Sequence, residues 1–191
     1  MKKASFKTIF IPTISLFLIC LVVTAALALT NWVTAEKITE NELQKKTESM
    51  QTVVPDAASF EDLNIGENEV YEGKTESGDV TGYAISTAAT GYGGQVKVMT
   101  GIDTDGRIIG VDVFYNDDET PGLGKNTSNE DFTAQYRGLS ADEDIVVSKD
   151  NTSGNAQTVD AVTSATISSR AVTNAVNEAL SIYQEYIKEG E

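Results

Sequence analysis

The residues of this chain that could do chemistry concentrate in the run Asp160-Ala-Val-Thr163-Ser164-Ala165-Thr166-Ile-Ser-Ser-Arg170, where small and hydroxyl side chains lead into a helix-patterned segment. Val172, Val176, Leu180, Tyr183 and Ile187 recur at spacings of three and four, which puts an apolar stripe on one face of a helix. The hydroxyl cluster therefore sits at a helix N-terminus. Unpaired backbone N–H groups and the positive end of the macrodipole favour an anion there, and Arg170, read as part of the first turn, adds a full positive charge. Ala161 and Ala165 leave room for a bulky group to approach. The chemistry this suits is the holding of a phosphate. A plainer role for Thr163 or Ser164 is that of helix N-cap, which serine and threonine fill routinely, and the local residues leave both roles open.

Composition narrows how such a site could work. Of 191 residues, 29 are Asp or Glu, 14 are Lys or Arg, one is Cys and none is His. Without histidine there is no Ser-His-Asp triad, no His-ligated haem or zinc, and no imidazole base near neutral pH. Cys20 alone allows neither an internal disulfide nor a Cys-ligated iron–sulfur cluster. Redox chemistry in this chain would rest on an organic cofactor. The string Asp117, Asp118, Glu119 lacks the spacing of a calcium loop, so no metal ligand is expected.

Three motifs together resemble one family. The run from Asp160 to Thr166 is similar to the D-x-x-[ST]-G-A-T motif of the FMN-binding domain family shared by the RnfG and NqrC subunits of ion-pumping membrane complexes. Gly91-Tyr92-Gly93-Gly94-Gln-Val-Lys-Val resembles the family's G-Y-x-G strand start, and Glu119-Thr120-Pro121-Gly122-Leu123-Gly124 matches its E-T-P-G-L-G. The resemblance runs over residues 9–187, and the chain length is nearer the RnfG branch. It implies covalent FMN, attached by a flavin transferase as a phosphoester on Thr166, which is an attachment point and not a catalyst. The flavin ring would lie between this helix start and the loops 92–94 and 119–124, whose glycines permit close backbone approach. The implied flavin-contacting residues are thus Thr163, Ser164, Ala165 and Arg170 on one side, and Tyr92, Gly93, Gly94, Glu119, Thr120, Gly122, Leu123 and Gly124 on the other. The resemblance further implies an electron-carrying subunit of an Rnf-type ion-translocating ferredoxin:NAD oxidoreductase, with the other subunits of that complex as partners. A non-redox scaffold and a stand-alone membrane-tethered flavoprotein reductase are the alternatives. Two residues depart from the pattern: Ser164 stands where the motif usually has Gly, and Asp117 stands where many relatives carry His.

The elements that must position these residues follow from patterning. Residues 9–29 are almost uninterruptedly apolar, long enough at ~1.5 Å per residue to cross a hydrocarbon core of roughly 30 Å. Lys2, Lys3 and Lys7 precede this transmembrane helix, placing the N-terminus in the cytoplasm and the rest of the chain outside, and Trp32 falls at the membrane interface. Ala26-Leu-Ala28 resembles a signal-peptide cleavage site, but the apolar run exceeds the roughly 7 to 15 residues of such peptides, which favours a retained anchor in the cell membrane. Cys20 is expected in the bilayer, since Ile19 occupies the position where a lipoprotein site needs a small residue. Without the three N-terminal lysines, 11 basic residues face 29 acidic ones, a formal charge of −18, which argues against nucleic acid and against docking flat on anionic lipid.

Residues 34–54, ending at Pro55, predict a juxtamembrane helix that continues the anchor, and 55–68 read as an irregular connection. Short β-patterned runs follow at 70–74, 80–86, 95–102 and 108–115, the last two joined by the hairpin signal Asp105-Gly106. Residues 116–128 carry turn chemistry, 129–136 predict a short helix, 144–148 a strand, and 150–158 a polar loop into the motif. The expected class is α+β. A cytoplasmic tail (1–8) and a transmembrane helix (9–30) lead through a juxtamembrane helix and connection (31–68). An extracytoplasmic FMN-binding domain (69–191) of short antiparallel strands and a C-terminal helix follows.

Overall fold

The computed structural model describes residues 6–66, 68–148 and 157–188, with side chains from residue 10 onward. Lys2, Lys3 and the Lys7 side chain of the expected tail, and most of the polar loop expected over 150–158, lie outside the described residues. The chain divides into two compact units, Met1–Gln44 and Lys45–Glu191.

One helix, α1 (Phe6–Val53), runs through both the apolar stretch and the juxtamembrane segment. Pro12 lies in its second turn, where the missing N–H removes a single helical hydrogen bond. The apolar part reaches a mean hydropathy of 2.5 with none of its residues buried, so it is long and apolar enough to cross a membrane. Side chains such as Leu16, Phe17 and Leu27 are more than half exposed.

In the second unit, β1 (Ser59–Asp62), β2 (Glu69–Lys74), β3 (Val80–Thr90), β4 (Gln95–Ile102) and β5 (Ile108–Tyr115) form an antiparallel meander in chain order. The sheet starts earlier than patterning predicts. Residues 59–62, expected within an irregular connection, pair with β2 from Ser59↔Lys74 to Asp62↔Tyr71. Ser-Phe-Glu-Asp is a short edge strand with one apolar residue, so its conformation comes from its neighbour's ladder and not from its own pattern. The compact unit also begins before residue 69, because the last turns of α1 belong to it: Met50, Val53, Val54 and Ala57 pack with Ala84 and Met99.

That packing depends on two missing side chains. Gly101 and Gly110 are register partners across β4 and β5, and a Cβ at Gly101 would strike the Val53 carbonyl. The glycine pair opens a shallow gap into which the C-terminal end of α1 drops.

The opposite face of the sheet is covered by α3 (Thr166–Tyr183), the helix anticipated from its apolar stripe. Val172, Val176 and Leu180 meet Ile85, Val96, Val98 and Ile102, while the buried Ala171, Ala175 and Ala179 let the helix lie close. The Thr87 hydroxyl donates to the Ala175 carbonyl at 2.8 Å, tying β3 to the middle of the helix. Ile187, the last stripe residue, lies in a π-helical turn (Gln184–Lys188) and packs against the same core. Behind α3, burial pushes the Tyr136 phenol well above its usual pKa, and its hydroxyl pairs with Thr173 at 2.7 Å.

The chain returns to α3 through small elements. A 3₁₀ turn (Gly124–Ser128), α2 (Glu130–Thr133) and a second 3₁₀ turn (Ala134–Tyr136) occupy the region expected to be loop and short helix. β6 (Ile145–Ser148) and β7 (Gln157–Asp160) then pair in parallel, so residues 157 and 158, expected in a loop, are strand. Side-chain amides take the place of missing ladder partners. Gln135 accepts from the Asp160 N–H at 2.7 Å and donates to its carbonyl at 3.3 Å, and Asn177 holds both backbone groups of Ile145 in the same manner. Buried backbone groups need such partners. Here they fix the strand that delivers Asp160 to the helix.

Candidate functional site

Three connections meet at the N-terminus of α3: the turn 91–94 between β3 and β4, the loop after β5, and the segment from β7 into the helix. They enclose a cleft of about 520 Å³, with Tyr92, Glu119, Thr120, Leu123 and Gly124 on one side and residues 164–168 on the other. Two loops read separately in the sequence are thereby brought against the hydroxyl run.

Thr166 is the first residue of α3, is half-buried, and lines the cleft. Neither Thr163 nor Ser164 caps the helix. The N-cap is Ala165, at φ −127° and ψ 37°, with no side-chain cap. Ser169 supplies part of the missing closure from inside the helix, accepting from the Val162 N–H at 3.0 Å and donating to the Ala165 carbonyl at 3.0 Å. Among the described residues, no protein acceptor meets the backbone amides of Thr166, Ile167 and Ser168. Three N–H donors at the positive end of an 18-residue helix are thus left pointing out of the helix start.

Ser164 stands at φ +62°. The chain turns there, with the Ala165 N–H donating to the Val162 carbonyl at 2.9 Å, in order to swing from β7 into α3. The position where the related motif has glycine is therefore one that needs a left-handed backbone, which costs an L-residue of order 1–2 kcal/mol.

Glu119 is 2 % exposed, and its carboxylate accepts three hydrogen bonds. Its Oε1 accepts from the Tyr92 N–H at 2.7 Å and the Gly93 N–H at 3.3 Å, and its Oε2 accepts from the Ser168 hydroxyl at 2.8 Å. A Cβ at Gly91 would strike Oε1 and one at Gly124 would strike Oε2. A Cβ at Gly93 would collide with the Asp118 carbonyl, and one at Gly94 would come within 2.7 Å of the Asp118 Cβ. Gly93 and Gly94 thus admit the 118–119 segment to the turn, whereas Gly124 faces Glu119 of its own loop and Ser168 of α3, and Gly122, at φ +77°, has nothing within 4 Å of a Cβ. Gly93 and Gly94 do not line the cleft.

The remaining candidates divide. Tyr92 is 71 % exposed and Leu123 41 % exposed; with the unanticipated Ile167, 56 % exposed, they give the cleft an apolar rim. Ser164, Ala165, Thr120 and Gly124 also line it. Thr163 and Gly122 instead line a neighbouring cleft of about 550 Å³, which shares Leu123 and Ser164 with the first. Arg170 falls in the second turn of α3, exposed and away from the lining, because the helix starts at Thr166 and not earlier. Asp117 is a surface residue near Lys45 at 3.4 Å and Lys125 at 3.9 Å, and it does not line the cleft. Sequence reasoning missed Ser168 and Gly91. Ser168 lies 49 residues from Glu119 along the chain, and a serine within a helix carries no sign of so distant a partner.

Residues 91–181 match the family described as FMN-binding domain, and residues 1–53 match the RnfG N-terminal region. The chain is 40 % identical over 203 residues to the G subunit of the Na(+)-translocating ferredoxin:NAD(+) oxidoreductase complex of Acetobacterium woodii, with 97 % of each chain covered. It is 30 % identical to the G subunit of the proton-translocating ferredoxin:NAD(+) oxidoreductase complex of Clostridium ljungdahlii, over 91 % of each. Among solved structures, NqrC of Shewanella oneidensis superimposes with a TM-score of 0.53 at 18 % identity, over 73 % of this chain and 72 % of that one, a likeness of fold.

Proposed function

The chain belongs to the G subunits of the Rnf-type ion-translocating ferredoxin:NAD(+) oxidoreductases and carries their FMN-binding domain, and we propose that it is an electron-carrying subunit whose FMN is bonded through its phosphate to the Thr166 hydroxyl. The observation that carries this reading is the convergence on one cleft of a helix-start threonine, three backbone amides without protein acceptors, and the 119–124 loop.

The residues present fit such a group. A phosphate diester at the Thr166 hydroxyl would bear a single negative charge beside the N–H donors of Thr166, Ile167 and Ser168, which favour an anion. Ala165 and the outward side chain of Ser164 leave the helix mouth open. Tyr92, Leu123 and Ile167 offer apolar surface to a flat aromatic ring, surface that a free-standing domain would otherwise expose to water without return. When bound, FMN would accept and release electrons, and a chain with no histidine and one cysteine has no His-ligated haem or Cys-ligated iron–sulfur cluster to share that role. The chain's own residues bind and orient it, and covalent attachment keeps it from being lost outside the cytoplasm.

Within the whole complex, electrons would pass between ferredoxin and NAD while an ion is moved, and this subunit would be one relay. The apolar part of α1 would anchor it in the lipid bilayer with the N-terminus cytoplasmic, the flavin domain outside, and the other subunits of the complex as neighbours. A flavin transferase is the maturation partner. The test is co-expression of the full chain with such a transferase, followed by intact mass and peptide mapping. One FMN per chain on the Thr166 peptide, absent in Thr166→Ala and retained in part in Thr166→Ser, is the expected result. Unmodified peptide in the presence of active transferase would leave a scaffold subunit as the function; flavin on Thr163 would move the site.

A further inference from the structure

Resting on that reading, we propose that Glu119 is a positioning residue: a buried carboxylate that pins the 91–94 turn to the N-terminus of α3 and so builds the flavin site without being a flavin ligand. The family resemblance would make Glu119 one of the groups touching the cofactor. Its surroundings assign it a different task.

Both carboxylate oxygens are already engaged. Oε1 takes the two amides of the turn and Oε2 takes the Ser168 hydroxyl on the first turn of the helix. Gly91 and Gly124 close on it from either side, each so near that a methyl group would overlap an oxygen. The carboxylate is therefore enclosed by the three segments that form the cleft: turn 91–94, its own loop, and α3. The Gly91 N–H bonds within the turn, to the Gly94 carbonyl at 2.7 Å, and so does nothing to join the turn to the helix start. That task falls to the carboxylate. Hydrogen bonds to a buried charged acceptor are the strong kind, and removing that acceptor leaves the donors unsatisfied. Tyr92, the most exposed apolar residue on the cleft rim, is held in place through the backbone that Glu119 grips.

A positioning role and a contact role predict different responses to the amide variant. In Glu119→Gln the side-chain oxygen can still accept from Tyr92 and Gly93, and the amide nitrogen can donate to the Ser168 hydroxyl, which rotates to accept. The pin survives with its charge removed. Glu119→Ala leaves three donors facing a hole, and Ser168→Ala releases only the helix end of the pin.

The experiment follows backbone hydrogen exchange in the full chain in detergent, prepared without flavin, and then measures covalent FMN per chain after co-expression with a flavin transferase. In Glu119→Ala the Tyr92 and Gly93 amides should exchange about tenfold faster or more, the factor that roughly 1.4 kcal/mol of lost local stability produces, and FMN incorporation should fall in step. The amides of Ala84 and Ile85 in β3 should keep their protection. Glu119→Gln should restore both slow exchange and loading. Ser168→Ala should reduce loading while Tyr92 and Gly93 stay protected. Unchanged exchange at Tyr92 and Gly93 in Glu119→Ala would overturn the proposal. So would a Gln variant that keeps slow exchange but loses FMN, which would make Glu119 a cofactor contact. If Glu119→Ala unfolds the sheet, the Gln and Ser168→Ala results decide the matter alone. Failure of the wild-type chain to take up FMN would refute the proposed function and leave the exchange result standing.

Discussion

Replacing Ser164 with glycine should stabilise the protein, and the size of the gain follows from one torsion angle. Ser164 sits at φ +62°, exposed, in the turn that swings the chain from β7 into α3. A left-handed backbone costs an L-residue about 1–2 kcal/mol. Glycine escapes that cost but loses more freedom on folding, roughly 0.5–1 kcal/mol relative to alanine. No hydrogen bond to the Ser164 side chain offsets the strain among the described residues, so the net gain should be about 0.5–1 kcal/mol. For a chain of this size that corresponds to a rise in Tm of roughly 1–4 °C. The assay is thermal unfolding of the full chain in detergent for wild type, Ser164→Gly and Ser164→Ala, all without flavin. Alanine is the essential control, because it keeps the strain and should give no gain. If the glycine variant melts at or below the alanine variant, the torsional argument is wrong and the serine side chain is contributing something the backbone geometry does not reveal.

Three further outcomes follow from packing and topology. Gly101→Ala would push a methyl group against the Val53 carbonyl, so it should lower stability by about 1–3 kcal/mol, read as a lower Tm and faster proteolytic cleavage near the end of α1. The Thr100 hydroxyl is fully buried and, among the described residues, has no hydrogen-bond partner; Thr100→Val, of nearly the same shape, should raise stability by about 1 kcal/mol, and a drop in Tm would show that the hydroxyl is satisfied after all. External protease added to intact spheroplasts should remove the acidic domain and leave a membrane-embedded N-terminal fragment, whereas protection of the domain would reverse the proposed orientation.

Features that depend on near neighbours could be read from the residues alone. The apolar run of α1 is visible because it is an unbroken stretch of composition, long and apolar enough to cross a membrane, that needs no distant partner to be recognised. Strands β2 to β5 show in alternation and turn residues, and α3 in its three-four stripe, because each is a periodic exposure of one chain segment to one face of the core. Thr166 at a helix start was legible for the same reason. Features that join residues far apart along the chain emerged with the packed domain. Edge strand β1 exists because β2 offers it a ladder, and β7 forms because β6 does. Arg170 lies off the cleft because the helix begins at Thr166, a boundary settled by the left-handed turn at Ser164 and by Ser169 closing the start from within. Gly124 could be read as a place of close approach, but what approaches it is Glu119, which also meets the unforeseen Gly91 and has Ser168 as its third partner. A carboxylate's burial is a property of three chain segments meeting. No local pattern encodes it, because the free energy that holds it there is released only when all three arrive.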